Sequence, residues 1–270
     1  MSYSRQWVEE CGSEDSHGRA LWALGTLVGR SGDPGKQSLG GELFHAALPP
    51  AAAFTSPRAW AFALLGIDEY LRAFQGDSNV QALRTVLAER LLNLFRRTSD
   101  SDWPWFEDRL TYSNARLSQA LIVSGAWMEH AEMRAAGIRS LRWLAEVQCS
   151  EDGYFAPIGS NGFYRRGERK ARFDQQPVEA CAMVSACLEA GRVTGDEEWA
   201  QHARRAFSWF LGQNHLQQSL YDAATGGCRD GLHADRMNEN QGAESTLSFL
   251  LALAEMRSAR VGSMTRETTT

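Results

Sequence analysis

Apolar residues recur at helical spacing along nearly all of the 270-residue chain, and alternating strand patterns are scarce. That periodicity confines the fold to an all-α architecture. It predicts helices over roughly 17–30, 36–47, 57–75, 79–98, 111–128, 131–148, 177–194, 197–212 and 243–260. Breaks such as Gly76-Asp77-Ser78 and Thr194-Gly195-Asp196 are short enough to make successive helices antiparallel neighbours. Strands are expected only as short pieces within the loops at 150–176 and 219–240. The polar, Thr-rich stretch 262–270 reads as a flexible tail behind a single domain over 1–261.

Two kinds of helix alternate. Those beginning near His17, Pro57, Thr111, Pro177 and Ala243 are rich in Ala, Gly, Ser and Leu, which suits a helix packed on several sides. The intervening helices, such as Gln81–Arg97 and Glu197–Phe210, carry Arg and Glu on one face and Leu, Phe and Trp on the other, as an outer layer would. Inner-helix starts recur roughly every 40 to 70 residues, the mark of a helical-hairpin repeat. The arrangement is an α/α toroid, in which all inner helices run the same way and the loops leading into them share one pole.

Composition narrows the function. A net charge of −5 gives no reason to expect nucleic acid or an anionic membrane as a partner. No apolar run reaches the ~18 residues of a membrane span and no apolar leader follows Met1, so a cytoplasmic location is expected. The five cysteines are scattered, and neither CxxC nor HExxH occurs, so no metal and no cofactor is expected. Rossmann-like βαβ alternation and a glycine-rich phosphate loop are lacking as well, which disfavours literal transfer from a nucleotide sugar.

Four of the loops that should share the pole carry related chemistry. They are Gly12-Ser-Glu-Asp-Ser-His-Gly-Arg19, Trp103-Pro-Trp-Phe-Glu-Asp-Arg-Leu-Thr-Tyr-Ser-Asn-Ala-Arg116, Arg172-Phe-Asp-Gln-Gln-Pro-Val-Glu179 and His233-Ala-Asp-Arg-Met-Asn-Glu-Asn-Gln-Gly-Ala-Glu244. Helix capping explains one Asp or Ser in each. It does not ask for the aromatics Trp103, Trp105, Tyr112 and Phe173, or for the amides Gln175, Gln176, Asn238, Asn240 and Gln241. A sugar does: ring faces cover its C–H side, while amides, carboxylates and arginines such as Arg19 and Arg116 bind its hydroxyls. A buried-arginine ion pair holding two loops is the competing role for Arg19 and Arg116. The long connection Ser150–Gln176, with its aromatics and its basic run Arg165, Arg166, Arg169, Lys170 and Arg172, reads as an ordered rim.

Together the segments Glu14-Asp-Ser-His-Gly-Arg-Ala-Leu-Trp-Ala-Leu-Gly25, Trp105-Phe-Glu-Asp-Arg-Leu-Thr-Tyr-Ser-Asn-Ala-Arg116, Phe173-Asp-Gln-Gln-Pro-Val-Glu-Ala180 and Asn238-Glu-Asn-Gln-Gly-Ala-Glu-Ser-Thr-Leu247 resemble a bacterial family of the six-hairpin glycosidase-like superfamily. Members of that family are often labelled glycosyltransferase. The resemblance covers most of the chain, from about Gly12 to Met256, and implies an (α/α)6-type toroid and a carbohydrate context. Such a ring needs twelve helices and about nine are legible, so a missing N-terminal hairpin or an open ring is expected. The resemblance does not fix a reaction.

Cleavage of a glycosidic bond needs one carboxyl group as acid and a second as base or nucleophile. The candidates are Asp15, Glu107, Asp108, Asp174, Glu179, Glu239 and Glu244. Asp174 and Asp108 are favoured because an aromatic approach precedes each; Glu239 and Asp15 follow. Glu179 and Glu244 compete with a role at the helix start. His17 is either a proton carrier or a first-turn polar group. With His233 it supports a rival reading, a sugar 2-epimerase-like isomerase. A non-catalytic glycan-binding protein working beside a glycosyltransferase is the third reading.

Overall fold

The computed structural model describes residues 2–267, with side-chain burial through Ala259. Nine α-helices are present among the described residues. They are α1 (Glu14–Arg30), α2 (Pro34–Ala47), α3 (Pro57–Ala73), α4 (Ser78–Thr98), α5 (Asn114–Trp127), α6 (Ala131–Val147), α7 (Pro177–Thr194), α8 (Glu198–Phe210) and α9 (Ala243–Glu267). Local chemistry sets their starts. Ser13, Asp33, Ser56 and Asp77 accept first-turn N–H groups, and Pro34, Pro57 and Pro177 occupy first helical positions where a missing N–H costs nothing.

Every second helix is an inner one. α1, α3, α5, α7 and α9 pack side by side in that order, and α2, α4, α6 and α8 cover them. The chain is thus an α/α toroid, with five inner and four outer helices among the described residues. α5 and α7 are buried along most of their length, as their Ala, Ser and Cys content leads one to expect. The outer helix α8 buries Trp199, Ala203, Ala206, Trp209 and Phe210 on one stripe and leaves its charges outside.

Two expectations need correcting. The stretch from Gly262 to Glu267, expected as a tail, continues α9, because no proline interrupts it and one glycine costs a helix only about 1 kcal/mol. Residues 268–270 lie outside the described residues. Of four two-residue strands, β2 (Tyr164–Arg165), β3 (Gly231–Leu232) and β4 (Met237–Asn238) lie in the expected loops. β1 (Arg109–Leu110) was not foreseen; it lies in the loop before α5 and pairs antiparallel with β2.

Inside the ring the axis is filled. Arg116 of α5, 3% exposed, stacks over Trp22 of α1 at 4.4 Å and donates to Gln119 at 2.7 Å. Ser185 of α7 donates to Glu255 of α9 at 2.6 Å, and burial pushes the Glu255 carboxyl above the usual range.

Between α3, α4 and α5, Asp68 is fully buried, accepts from Ser124 at 3.1 Å and lies 3.7 Å from Arg84. Desolvation dominates, pushing its carboxyl from 3.8 to about 7. The folded chain therefore holds a proton there that the unfolded chain releases near 3.8. Stability from this group is complete below that value and lost as pH rises through about 7. In urea melts at pH 4.5 and 7.5, Asp68→Asn is expected to flatten the loss of stability that the wild type shows over that interval, by an amount on the order of a few kcal/mol at most. An unchanged slope would mean that Asp68 does not titrate there.

Candidate functional site

Co-oriented inner helices bring the starts of α1, α5, α7 and α9 to one pole, where they line a depression of 550 Å³. Its walls are Asp15 and Arg19 from α1, Tyr112 from the loop before α5, Gln176 and Val178 from the start of α7, and Glu244 from α9. Segments more than 200 residues apart on the chain thus become neighbours at roughly the size of a small-ligand pocket.

Capping does not occupy Asp15. Ser13 caps α1, and Glu14 accepts from the Thr55 and Ser56 N–H groups at 2.8 and 2.7 Å, bonds that hold its carboxyl below the usual range. Asp15 is left facing the depression. Arg19 Nε donates to Asp15 Oδ2 at 2.8 Å and the Tyr112 hydroxyl donates to Oδ1 at 3.1 Å. Burial, with the Asp15 charge second, raises the Tyr112 phenol above its ordinary value, so the hydroxyl remains a donor. The Arg19 guanidinium lies over the Phe62 ring of α3 at 4.4 Å, which fixes the cation from behind.

A buried network underlies this wall. Arg58, in the first turn of α3, donates to the Tyr112 carbonyl at 2.6 Å, to Glu107 at 2.7 Å and to Asn114 at 3.3 Å. Asn114 in turn donates to Glu179 at 2.8 Å. Glu179 is fully enclosed, and burial raises its carboxyl while the Asn114 bond opposes the rise. Three inner-helix starts are thereby locked together, and with them Tyr112. An arginine right after a proline, inside an apolar run, was the sequence signal for this network.

The loop before α7 holds one member of a further polar pair, two residues before Gln176, and the pair lies outside the residues that line the depression. Asp174 adopts a left-handed backbone conformation (φ 56°), which aspartate enters more readily than most residues other than glycine, and its carboxylate contacts Nδ1 of His233. The Gln175–Leu232 backbone pairing sets the two side by side. His215 Nε2 contacts the His233 carbonyl oxygen at 2.7 Å, and Phe173 packs on the His215 ring.

Other expected site residues lie elsewhere. Trp103 and Trp105, read as sugar platforms, belong to the core: both pack on Trp143 of α6, and neither offers a face to a ligand. His17 contacts the Ala47 carbonyl oxygen at 2.6 Å and packs edge-on against Phe54. Asp108 is exposed on the β1–β2 pair, held below the ordinary carboxylate range chiefly by its bond to Arg109, with Arg165 at 3.7 Å. Glu239 is exposed and pairs with Arg229 at 2.7 Å. Gln175 is buried and accepts from Trp209 at 3.0 Å. Asn238 accepts from the Asn240 N–H, Asn240 binds Asp230, and Gln241 bonds Thr225 and Asp222, so these amides tie their own loop together. Arg116 sits in the filled axis. Glu244, in the first turn of α9, is the additional carboxylate on the depression. Among the described residues, no cluster of three or more His, Cys, Asp or Glu is arranged to hold a metal ion, and no helix is long and apolar enough to cross a membrane.

No protein-family model matches the chain, and no curated protein matches it. Solved structures do. The chain is similar to the unsaturated glucuronyl hydrolase from Bacillus sp. GL1, responsible for the degradation of glycosaminoglycan, at 14% identity and a TM-score of 0.66, covering 94% of this chain and 70% of that one. It is similar to the GH76A alpha-1,6-mannanase from Salegentibacter sp. HEL1_6 at 11% identity and a TM-score of 0.62, covering 93% and 91%. It is similar to a sugar epimerase from a ruminal bacterium at 14% identity and a TM-score of 0.62, covering 97% and 78%. At such identities the likeness establishes the six-hairpin glycosidase-type fold. The glycosyltransferase label suggested by the resemblance gains no support from these neighbours.

Proposed function

We propose that the protein acts on a glycosidic bond of an oligosaccharide or polysaccharide bound at the pole, by acid/base catalysis. One observation carries this reading: Asp15, Arg19, Tyr112, Gln176 and Glu244, drawn from four helix starts, line one depression. Asp15, with both oxygens directed by donors, serves as the base that takes a proton from the attacking water. His233, steadied by Asp174, delivers a proton to the leaving oxygen, since an imidazole both carries and releases protons. Gln176 and Glu244 bind hydroxyls. The fold of the hydrolases above agrees with this assignment without specifying it.

The Asp174–His233 contact also favours a second reading, in which His233 moves a proton at a sugar carbon as an isomerase would. The products separate the two. Hydrolysis liberates one new reducing end per bond cleaved, whereas isomerisation liberates none. In a screen of oligosaccharides and free sugars we expect new reducing ends, with a loss of roughly 10²–10⁴ in kcat for His233→Gln and a similar loss for Asp174→Asn. Unchanged turnover in both variants removes the proton-donor assignment. Binding without turnover in the wild type would replace catalysis with a glycan-binding role.

A further inference from the structure

α9 is the only inner helix with no outer helix behind it among the described residues. Along its exposed side run Ala243, Leu247, Leu250, Ala254 and Arg257, spaced 4-3-4-3, flanked by Glu244, Leu251 and Ser258. The three leucines are 57%, 45% and 43% exposed, although leucine loses most by contact with water. A 4-3 spacing is the seam of a two-helix coiled coil. The seam is also symmetric about the point midway between Leu250 and Leu251. When the helix is turned end for end about that point, Leu250 meets Leu251, Leu247 meets Ala254, Ala243 meets Ser258 and Glu244 meets Arg257. Every exposed position from Ala243 to Ser258 has an exposed counterpart.

We infer that this face binds a second copy of the chain, α9 against α9, antiparallel about a two-fold axis. A symmetric dimer requires a self-complementary patch, and this one is self-complementary in both apolar content and charge. Parallel pairing would set Glu244 on Glu244 and Arg257 on Arg257, which repel; the antiparallel register makes two attractive pairs. Because Glu244 also lines the polar depression, the partner's Arg257 arrives at its edge, and each site borrows one cation from the other copy. The pairing holds whether or not the site turns over a glycan.

Sedimentation of the full chain across a concentration series provides the test. A monomer–dimer equilibrium is expected, and Leu250→Glu with Leu251→Glu should raise its dissociation constant more than about tenfold, with circular dichroism unchanged because both positions are exposed. Glu244→Arg alone should weaken the dimer, and adding Arg257→Glu should restore it, since the swapped pair attracts again. A wild type that stays monomeric overturns the inference and leaves the face to another helical hairpin completing the ring. A dimer indifferent to the leucine pair, or a charge swap that rescues nothing, overturns it as well.

Discussion

Gly25→Ala is expected to destabilise the fold by at least about 3 kcal/mol, more than a single exposed substitution could. A Cβ on Gly25 would stand 2.0 Å from the Gly66 carbonyl oxygen, and one on Gly66 would stand 2.4 Å from the Leu21 carbonyl oxygen. These are backbone atoms, which no rotamer change can move aside. α1 and α3 would have to separate, losing the stacking of Trp22 on Phe62 and the seat of Arg19 over the same ring. The intrinsic helix penalty of glycine, about 1 kcal/mol relative to alanine, is accepted here for that close approach. Thermal melts should show a drop of roughly 6–12 °C for Gly25→Ala. Gly12→Ala, which meets nothing within 4 Å, should stay within about 0.5 kcal/mol of wild type. A silent Gly25→Ala would mean that the two helices stand further apart than described.

Asp15→Asn is expected to reduce kcat/KM by about 10²–10⁴ while leaving the melt nearly unchanged. The Asp15–Arg19 pair is partly exposed and screened by water, so it contributes only about 0–1 kcal/mol to stability. Its chemical role is another matter. An amide keeps the shape but cannot accept at both oxygens or take a proton from water, and it leaves Arg19 without its counter-charge. Tyr112→Phe removes one donor and should cost roughly tenfold, the scale of one hydrogen bond. Asp108→Asn should change turnover little, because that carboxylate is 61% exposed and paired with Arg109 and Arg165. If Asp108→Asn abolished activity while Asp15→Asn preserved it, the site would belong on the β1–β2 edge.

The ring was legible because helical signals are local. Apolar spacing, breaks such as Gly76-Asp77-Ser78 and the prolines Pro57 and Pro177 at helix starts lie within a few residues of what they determine, and the observed helices begin within three residues of the expected positions. Co-orientation followed from short turns between helices, so the meeting of Asp15, Arg19, Tyr112 and Gln176 could be anticipated from patterning. Direction within a loop could not. Trp103 and Trp105 stand beside acids in sequence, but the loop turns them inward onto Trp143, and Trp105 sits edge-on to Phe106. Four apolar residues in a row, Trp103-Pro-Trp-Phe106, carry more apolar area than a loop can leave in water. The Asn238–Gln241 amides were misleading for a related reason. Planar amides suit a sugar hydroxyl and a loop carboxylate equally, and Asp222 and Asp230 were close enough to take them. Glu244 was discounted because a glutamate in a first turn usually serves the helix; only the long-range fold places it on the depression.

Where the sugar binds is decided by a crystal of the Asp15→Asn variant soaked with the oligosaccharide that the wild type cleaves. Density for a sugar is expected at the pole, in reach of position 15, Tyr112, Gln176 and Glu244, with the scissile oxygen towards His233. Sugar bound against another face of the ring, with the pole empty, would contradict that expectation.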